Sequence, residues 1–218
     1  MPILAQDFAP PLPNWLLVQS LESYLNDLAS ARPTPGGGSA AILVAALGAS
    51  LVAMVARICS ANPKYSGHRA LAEDVAARAD ALRATLLAAR PHDEAAFEKV
   101  VAATALPRGN DAERALRSAE LESALAGAAA EPLKAAQLAL AVLVAARDLL
   151  VIPNRTLSSD VGSAAEFAHA AVAACAYNVR INHRFMKDGQ RTAEQAREIV
   201  EFEHAAELLL GEIRSALR

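Results

Sequence analysis

Asp93 is the carboxylate in this 218-residue sequence that is best suited to proton transfer. If its segment is helical, the residues three, four and seven positions further on are all apolar, which turns the Asp93 side chain toward the interior. Glu94 and Glu98 then share the solvent face. Removal from water favours the protonated carboxyl and raises its pKa, as general acid or base catalysis requires. The alternative is an aspartate that the helix dipole stabilises in the first turn after Pro91.

A glycine run offers a second feature, a backbone without side chains at the start of a helix. Residues 32–40 read RPTPGGGSA and precede the most apolar stretch of the chain. The prolines restrict the approach, and Gly36 to Gly38 allow a ligand close to the backbone. Ser39 is predicted to cap the following helix. Free N–H groups there predict a pocket for an anionic or carbonyl-bearing ligand, although a plain break between two helices is equally open.

Further polar residues lie on predicted helices. Asn178 and Asn182 stand four residues apart on an apolar helix, so both amides share a buried face and need hydrogen-bond partners. A polar heterocycle would serve as that partner, and so would the end of a neighbouring helix. Asp160 follows Ser159 at a predicted helix start, where capping alone explains both residues.

The sequence argues against several other classes of protein. The five histidines form no HExxH or other metal-ligand spacing, and neither a nucleophile elbow nor a Walker lysine accompanies the glycines. A net charge of −3 disfavours binding to nucleic acid through bulk electrostatics. Cys59 and Cys175 lie far apart in apolar segments, which predicts small core residues of a protein in the reducing cytoplasm.

The elements that position these residues are predicted to be helices. Apolar residues recur with helical spacing and no strand pattern is found, so we expect an all-α bundle of six to eight helices. Residues 15–218 are expected to form one domain, preceded by a proline-rich extended arm at residues 1–14. Pro91 is expected to kink or restart its helix, and Pro132 to open a new one. Helices are predicted at about 14–29, 40–61, 66–89, 93–106, 111–130, 132–152, 158–184 and 189–218, with caps at Asn14, Asp111 and Ser158 or Ser159, and Asn62-Pro63 is expected to end the second of them.

One predicted helix carries no charged residue between Ala40 and Ala56. It is short and alanine-rich for a membrane span, so a buried central helix is predicted instead. The apolar surface of this helix and of the arm also predicts a two-fold homodimer. Small side chains repeat along the helix at every fourth position and form a ridge that a second helix can approach closely: Ala41, Ala45, Ala49 and Ala53.

Together these residues resemble a known family, the cyclodeaminase domain of formiminotransferase-cyclodeaminase and its stand-alone bacterial relatives, the methenyltetrahydrofolate cyclohydrolases. The likeness begins near Leu21 and covers nearly all of the chain after it. Its most specific part is the motif PTPGGGSA at residues 33–40, followed by the alanine-rich helix. Asp93 falls where the family has its proposed catalytic aspartate. Further matches occur at the family's spacings, at Leu106-Pro107, Pro132-Leu133, Ser159-Asp160 and Asn178-Val179-x-x-Asn182.

The resemblance implies an all-helical homodimer that binds a folate near the subunit contact. It implies no metal or redox cofactor, and we expect neither a nucleic-acid nor a membrane partner. Proton transfer is expected from Asp93 and Lys64. The residues implied in substrate binding are Pro35, Gly36, Gly37, Gly38, Ser39, Tyr65, Asn154, Ser159, Asp160, Asn178 and Asn182.

The expected reaction is hydrolysis of 5,10-methenyltetrahydrofolate to 10-formyltetrahydrofolate. It is favoured because the chain is expected to lack the transferase domain that feeds the cyclodeaminase in the fused enzyme. The alternative is a formimidoyltetrahydrofolate cyclodeaminase, which releases ammonia and forms the methenyl compound. The loops around Lys64 and Asn154 differ from the family's usual pattern, so a non-catalytic folate-binding or scaffold homologue is a third reading.

Overall fold

The computed structural model describes residues 19–218 and contains six α-helices in that range. Short 3-10 turns at Pro63–His68 and Leu149–Val151 connect some of them, and no strand occurs among the described residues. The predicted all-α bundle is therefore confirmed. The predicted arm at residues 1–14 and the predicted cap Asn14 lie outside the described residues. The helices are α1 (Leu21–Leu28), α2 (Gly37–Ala61), α3 (Arg69–Thr104), α4 (Asp111–Asp148), α5 (Ser158–His183) and α6 (Gly189–Ala216).

The charge-free segment forms the centre of the bundle as α2, which packs against α3, α4 and α5. By length and composition its 25 residues could cross a membrane, with a mean hydropathy of 2.3, yet 61% of that apolar window is buried. At Gly48, a Cβ would lie 3.0 Å from the Ala164 carbonyl oxygen, so α5 approaches the α2 backbone closely. The prediction of a buried helix is confirmed, and so is the burial of its ridge, Ala41, Ala45, Ala49 and Ala53.

The two prolines expected to interrupt helices lie within continuous ones. Pro132 is inside α4, so the predicted helix start at this position is wrong. Pro91 is inside α3, so the predicted restart there is wrong as well, while the kink that was its alternative stays a prediction. A proline removes one backbone donor and crowds the preceding turn, but it does not remove the apolar faces on either side. Because α3 and α4 pack against each other and against α2, tertiary packing keeps each helix intact across its proline.

Several predicted helix ends also differ from the structure. Asn110, rather than Asp111, caps α4 by accepting a hydrogen bond from the Glu113 N–H at 2.9 Å. The α5 helix follows Leu157, and the Ser158 hydroxyl donates to the Arg155 carbonyl, so neither Ser158 nor Ser159 is its cap. These differences are one or two residues in sequence, and helical periodicity alone does not separate neighbouring capping residues.

The first helix is shorter than predicted and buries less. Ser20 caps α1 by accepting from the Ser23 N–H at 3.1 Å. The spacing of Leu21 and Leu25 predicts an inward face, but the two are 62% and 50% exposed and only Tyr24 is buried in this helix. This eight-residue helix therefore buries one large side chain, that of Tyr24, in the bundle.

Candidate active site

Asp93 and the first turn of α2 are in direct contact. Asp93 lies on α3 just beyond the internal proline, and its carboxylate rests on the α carbon of Gly38. A Cβ on Gly38 would lie 2.5 Å from each carboxylate oxygen, a distance that real side chains do not reach. The Ser39 backbone N–H lies near the same carboxylate and favours its ionised form. The glycine therefore lets a carboxylate sit at the positive end of a helix dipole.

The environment of Asp93 favours its protonated form. Burial is the largest cause, and the negative charges of Glu94 and Glu131 act in the same direction. The Ser39 N–H opposes them by stabilising the carboxylate. The net effect raises the pKa of Asp93 from 3.8 to about 6. The expectation of a desolvated aspartate is confirmed, and a group with this pKa can both accept and release a proton near neutral pH.

A cavity of about 250 Å³ opens beside Asp93. Its lining residues come from four parts of the chain that are far apart in the sequence: the loop that leads into α2, and the helices α3, α4 and α5. Six of the predicted site residues line it: Gly36, Gly37, Gly38, Asp93, Asn178 and Asn182. The remaining walls come from Pro33, Thr34, Glu94, Phe97 and Ala128.

The two asparagines present their side-chain oxygens for further hydrogen bonds. Asn182 Nδ2 donates to the Ala128 carbonyl at 3.0 Å and to the Asn178 carbonyl at 2.8 Å, while Asn178 Nδ2 donates to the Ala174 carbonyl at 2.9 Å. The backbone of α4 and α5 thus satisfies both amide nitrogens. Neither side-chain oxygen accepts a hydrogen bond from another described residue. A ligand with N–H donors would find acceptors here.

The sequence predicts that Ser39 caps α2, and this prediction is wrong. The N-cap is Gly36, which has no side chain, and Ser39 is already inside the helix. Its hydroxyl is fully buried, donates to Glu94 Oε1 at 2.6 Å and lies 3.0 Å from the Tyr24 hydroxyl. The Ser39 side chain is therefore committed to protein contacts, and its backbone N–H is the group that reaches Asp93.

The other predicted site residues lie at the opposite end of α2. Lys64 is exposed, with its Nζ 5.5 Å from the ring centre of Tyr65, which is buried. Asn154 Nδ2 lies 3.3 Å from the Sγ of Cys59, near the end of α2. Because 25 helical residues span about 37 Å, this group is far from Asp93 within one chain. It also includes the first turn of α5, with Ser159 and Asp160. Pro35 adjoins the cavity wall in sequence but does not line it.

Glu94 and its partners are the part of the site that the sequence did not reveal. Helical spacing places Glu94 on the solvent face, but its side chain is only 23% exposed and contacts Ser39. Arg90 Nη1 donates to Glu94 Oε1 at 3.2 Å and its guanidinium stacks 4.8 Å from the Tyr24 ring centre. The placement on the solvent face was wrong, because Ser39 of α2 binds the Glu94 carboxylate and Arg90, stacked on Tyr24 of α1, lies beside it. The sequence did contain one indication of this contact, because Arg90 and Glu94 are four residues apart and this spacing favours an ion pair on a helix.

The cysteines and histidines do not contribute to this site. Cys59 and Cys175 are free and buried, and burial together with the charge of Asp93 raises the pKa of the Cys175 thiol to about 12. Both are small core residues, as predicted. His169 Nε2 pairs with Glu207 at 2.9 Å near the surface. In residues 19–218, no group of three or more His, Cys, Asp or Glu side chains is placed to hold a metal ion.

Comparison with known proteins identifies the family. The model of the formiminotransferase-cyclodeaminase family matches residues 20–201. The chain belongs to this family. A methenyltetrahydrofolate cyclohydrolase of Methylorubrum extorquens is 34% identical over 181 residues, which are 83% of this chain and 87% of the relative. The resemblance seen in the sequence is confirmed.

Two further relatives carry the cyclodeaminase name. The formimidoyltransferase-cyclodeaminase of Rattus norvegicus is 31% identical over 173 residues, which are 79% of this chain but only 32% of that enzyme. The chain therefore spans about a third of the length of the rat protein. The crystal structure of a formiminotetrahydrofolate cyclodeaminase from Thermotoga maritima matches with a TM-score of 0.83 and 26% identity, over 92% of this chain and 96% of the other. The family thus includes proteins named for two reactions.

Proposed function

We propose that this protein is an enzyme of one-carbon folate metabolism that hydrolyses 5,10-methenyltetrahydrofolate to 10-formyltetrahydrofolate. The observation that carries the proposal is the Asp93 carboxylate, with a pKa raised to about 6, on the bare first turn of α2 at a cavity. The relative from Methylorubrum extorquens, which matches over most of both chains, is named for this reaction.

The chemistry requires one group that moves protons beside a cation. The substrate carbon between N5 and N10 belongs to an amidinium-like cation, which water attacks. Asp93 accepts one proton from that water as the carbon–oxygen bond forms, and then gives this proton to N5 as the carbon–N5 bond breaks. The second water proton is released to solvent and the formyl group remains on N10. No electrons are exchanged, so we propose no redox cofactor, and we assign no metal to the reaction.

The carboxylate also suits the charge of the substrate. An ionised Asp93 next to the cationic ring stabilises it electrostatically, in a site from which much of the water is excluded. The free side-chain oxygens of Asn178 and Asn182 would accept hydrogen bonds from the N–H groups of the pterin ring. The glycine backbone leaves room for that ring beside Asp93.

The site in one chain is small for a folate. Ligand pockets usually measure about 300–1,000 Å³, and this cavity measures about 250 Å³. We propose that a second copy of the chain completes it, in a two-fold homodimer. Along α2, between the two groups of predicted site residues, Leu47, Met54 and Ile58 are 49%, 37% and 44% exposed. A two-fold axis across this apolar surface would place the partner's Lys64 beside Asp93.

A cyclodeaminase is the second candidate, because the rat and Thermotoga maritima relatives carry that name. In this reaction N10 attacks the formimino carbon on N5, the attacking nitrogen loses a proton, and ammonia leaves after gaining one. Asp93 could serve both transfers. The free, buried cysteines agree with a cytoplasmic location, which we propose for either activity.

Spectroscopy separates the candidates, because methenyltetrahydrofolate absorbs in the near ultraviolet and its hydrolysis product does not. Loss of this band in the presence of the protein supports the cyclohydrolase. Growth of the band from 5-formimidoyltetrahydrofolate supports the cyclodeaminase. Folate binding without either change would leave the non-catalytic homologue, and would contradict the proposal.

A further inference from the structure

Ser39 contacts two adjacent carboxylates with two different groups. Its hydroxyl donates to Glu94 Oε1 at 2.6 Å, and its backbone N–H lies near Asp93 and favours the ionised carboxylate. Asp93 and Glu94 are consecutive on α3, so the first turn of α2 faces both: Gly38 lies against Asp93, and Ser39 binds Glu94. The proton transfers proposed above use Asp93 alone, which leaves Glu94 without an assigned role.

The contacts of Glu94 form a closed network between helices. Because the Ser39 hydroxyl gives its single proton to Glu94, it accepts one from the Tyr24 hydroxyl, 3.0 Å away. Burial raises the pKa of Tyr24, so the phenol keeps that proton. Arg90 donates to Glu94 Oε1 at 3.2 Å, stacks on Tyr24 and also donates to Gln19 Oε1 at 3.3 Å. The side chains of Arg90 and Glu94 are 12% and 23% exposed, so solvent screens this pair only partly.

The network lies where α2 has no other side chain to fix it. Gly36, Gly37 and Gly38 open the helix without side chains, and no side-chain hydrogen bond caps its N-terminus. Glycine also loses more conformational freedom on folding than other residues. Ser39 is the first residue of α2 that can anchor this turn, and Glu94 is the acceptor to which its hydroxyl donates.

We propose that Glu94 is a positioning residue for the reaction: through the Ser39 hydroxyl it holds the first turn of α2 against the Asp93 carboxylate, and Arg90 holds Glu94 in place. The proposal rests on the proposed catalytic role of Asp93 for its effect on turnover. Its structural content, the anchoring of the α2 turn, does not depend on which folate reaction takes place.

Glu94 also acts on Asp93 through its negative charge, so the experiment must distinguish this electrostatic effect from the anchoring of the α2 turn. The negative charge of Glu94 raises the pKa of Asp93, and Glu131 on α4 does the same. Replacing Glu94 by glutamine removes the charge and keeps an acceptor for Ser39, whereas leucine removes both. The titratable and charged groups around the two carboxylates are Tyr24 on α1, Arg90 on α3, Glu131 on α4 and Cys175 on α5.

The test compares Glu94→Leu with Glu94→Gln, and uses Glu73→Leu, an exposed position on the same helix, as the control for the substitution itself. We expect Glu94→Leu to lower kcat at least about tenfold with a smaller change in KM, since a misplaced catalytic group loses turnover. Glu94→Gln should lose less turnover and should move the acid limb of the pH–kcat profile to lower pH, because Asp93 then titrates lower. An unchanged kcat per folded molecule in Glu94→Leu would overturn the proposal.

Two readouts by NMR do not need turnover. In Glu94→Leu the Ser39 amide should exchange with solvent faster than in the Glu73→Leu control, and in Glu94→Gln the Asp93 carboxyl should titrate below its wild-type value. If these shifts occur in a protein that turns over neither folate, the proposed function fails and the positioning role stands. If the Ser39 amide remains as protected as in the control, the positioning role fails.

Discussion

The contact between Gly38 and Asp93 predicts a large effect from the smallest possible substitution. In Gly38→Ala the new methyl carbon would start 2.5 Å from both carboxylate oxygens. Normal contact begins near 3.4 Å, so either Asp93 or the first turn of α2 must move by roughly 1 Å. Displacement of a catalytic group by that distance costs about 100-fold in turnover. We therefore expect kcat to fall by about that factor.

Gly37→Ala is the matched comparison one residue earlier. Its methyl carbon would lie 3.4 Å from Asn178 Nδ2, which is ordinary contact, so Asp93 should stay in place. Because Gly37 lines the cavity, the methyl group should instead weaken folate binding, by at least about tenfold, or roughly 1.4 kcal/mol. The sequence predicts that a ligand approaches the backbone of the glycine run, whereas the contact between Gly38 and the Asp93 carboxylate is known only from the structure.

The assay is steady-state kinetics beside a melting curve for each variant. Gly211→Ala on α6, where a Cβ meets nothing within 4 Å, is the control, and it should keep wild-type kinetics and gain up to about 1 kcal/mol of stability. A Gly38→Ala enzyme with wild-type kcat would show that turnover does not depend on the position of the Asp93 carboxylate against α2, contrary to this prediction.

Two further predictions concern Asp93 and the assembly. Because the pKa of Asp93 in the folded protein, about 6, exceeds its ordinary 3.8, ionisation of Asp93 costs folding stability as the pH rises through 6. Asp93→Asn should therefore unfold with a free energy up to about 3 kcal/mol higher than wild type at pH 8, and denaturant titrations should show this gain vanishing below about pH 4. Light scattering should show a dimer, and randomly mixed Asp93→Asn and Lys64→Ala subunits should regain about a quarter of wild-type activity, since half the dimers would hold one intact site. A monomer, or no recovery on mixing, would contradict the composite site.

Helical periodicity was enough to predict the class of fold and the central helix. The charge-free run between Ala40 and Ala56 predicts α2, and its ridge of alanines predicts that a second helix packs closely against it. The structure shows which helix approaches and where: α5, at Gly48. The same local signals fail at Pro91 and Pro132, where packing of α3 and α4 on the rest of the bundle outweighs the lost backbone hydrogen bond. Local sequence does not contain that packing energy.

Part of the site could be predicted because two of its features are unusual in a sequence. An aspartate on an apolar helical face and three consecutive glycines are visible in the sequence, and the structure brings Asp93 and Gly38 together. The burial of Glu94 was not visible, since it depends on Tyr24 and Ser39, which belong to two other helices. The separation of Lys64 from Asp93 by the length of α2 was likewise a property of three-dimensional placement.

The turnover of Asp93→Asn shows directly whether the Asp93 carboxylate carries out the proton transfers. The near-ultraviolet band of 5,10-methenyltetrahydrofolate is followed with wild-type protein and with the variant, at a pH above 6 where the carboxylate is ionised. We predict that wild type removes the band faster than buffer alone and that Asp93→Asn, correctly folded by circular dichroism, is slower by about 100-fold or more. Hydrolysis by Asp93→Asn at the wild-type rate would contradict this prediction.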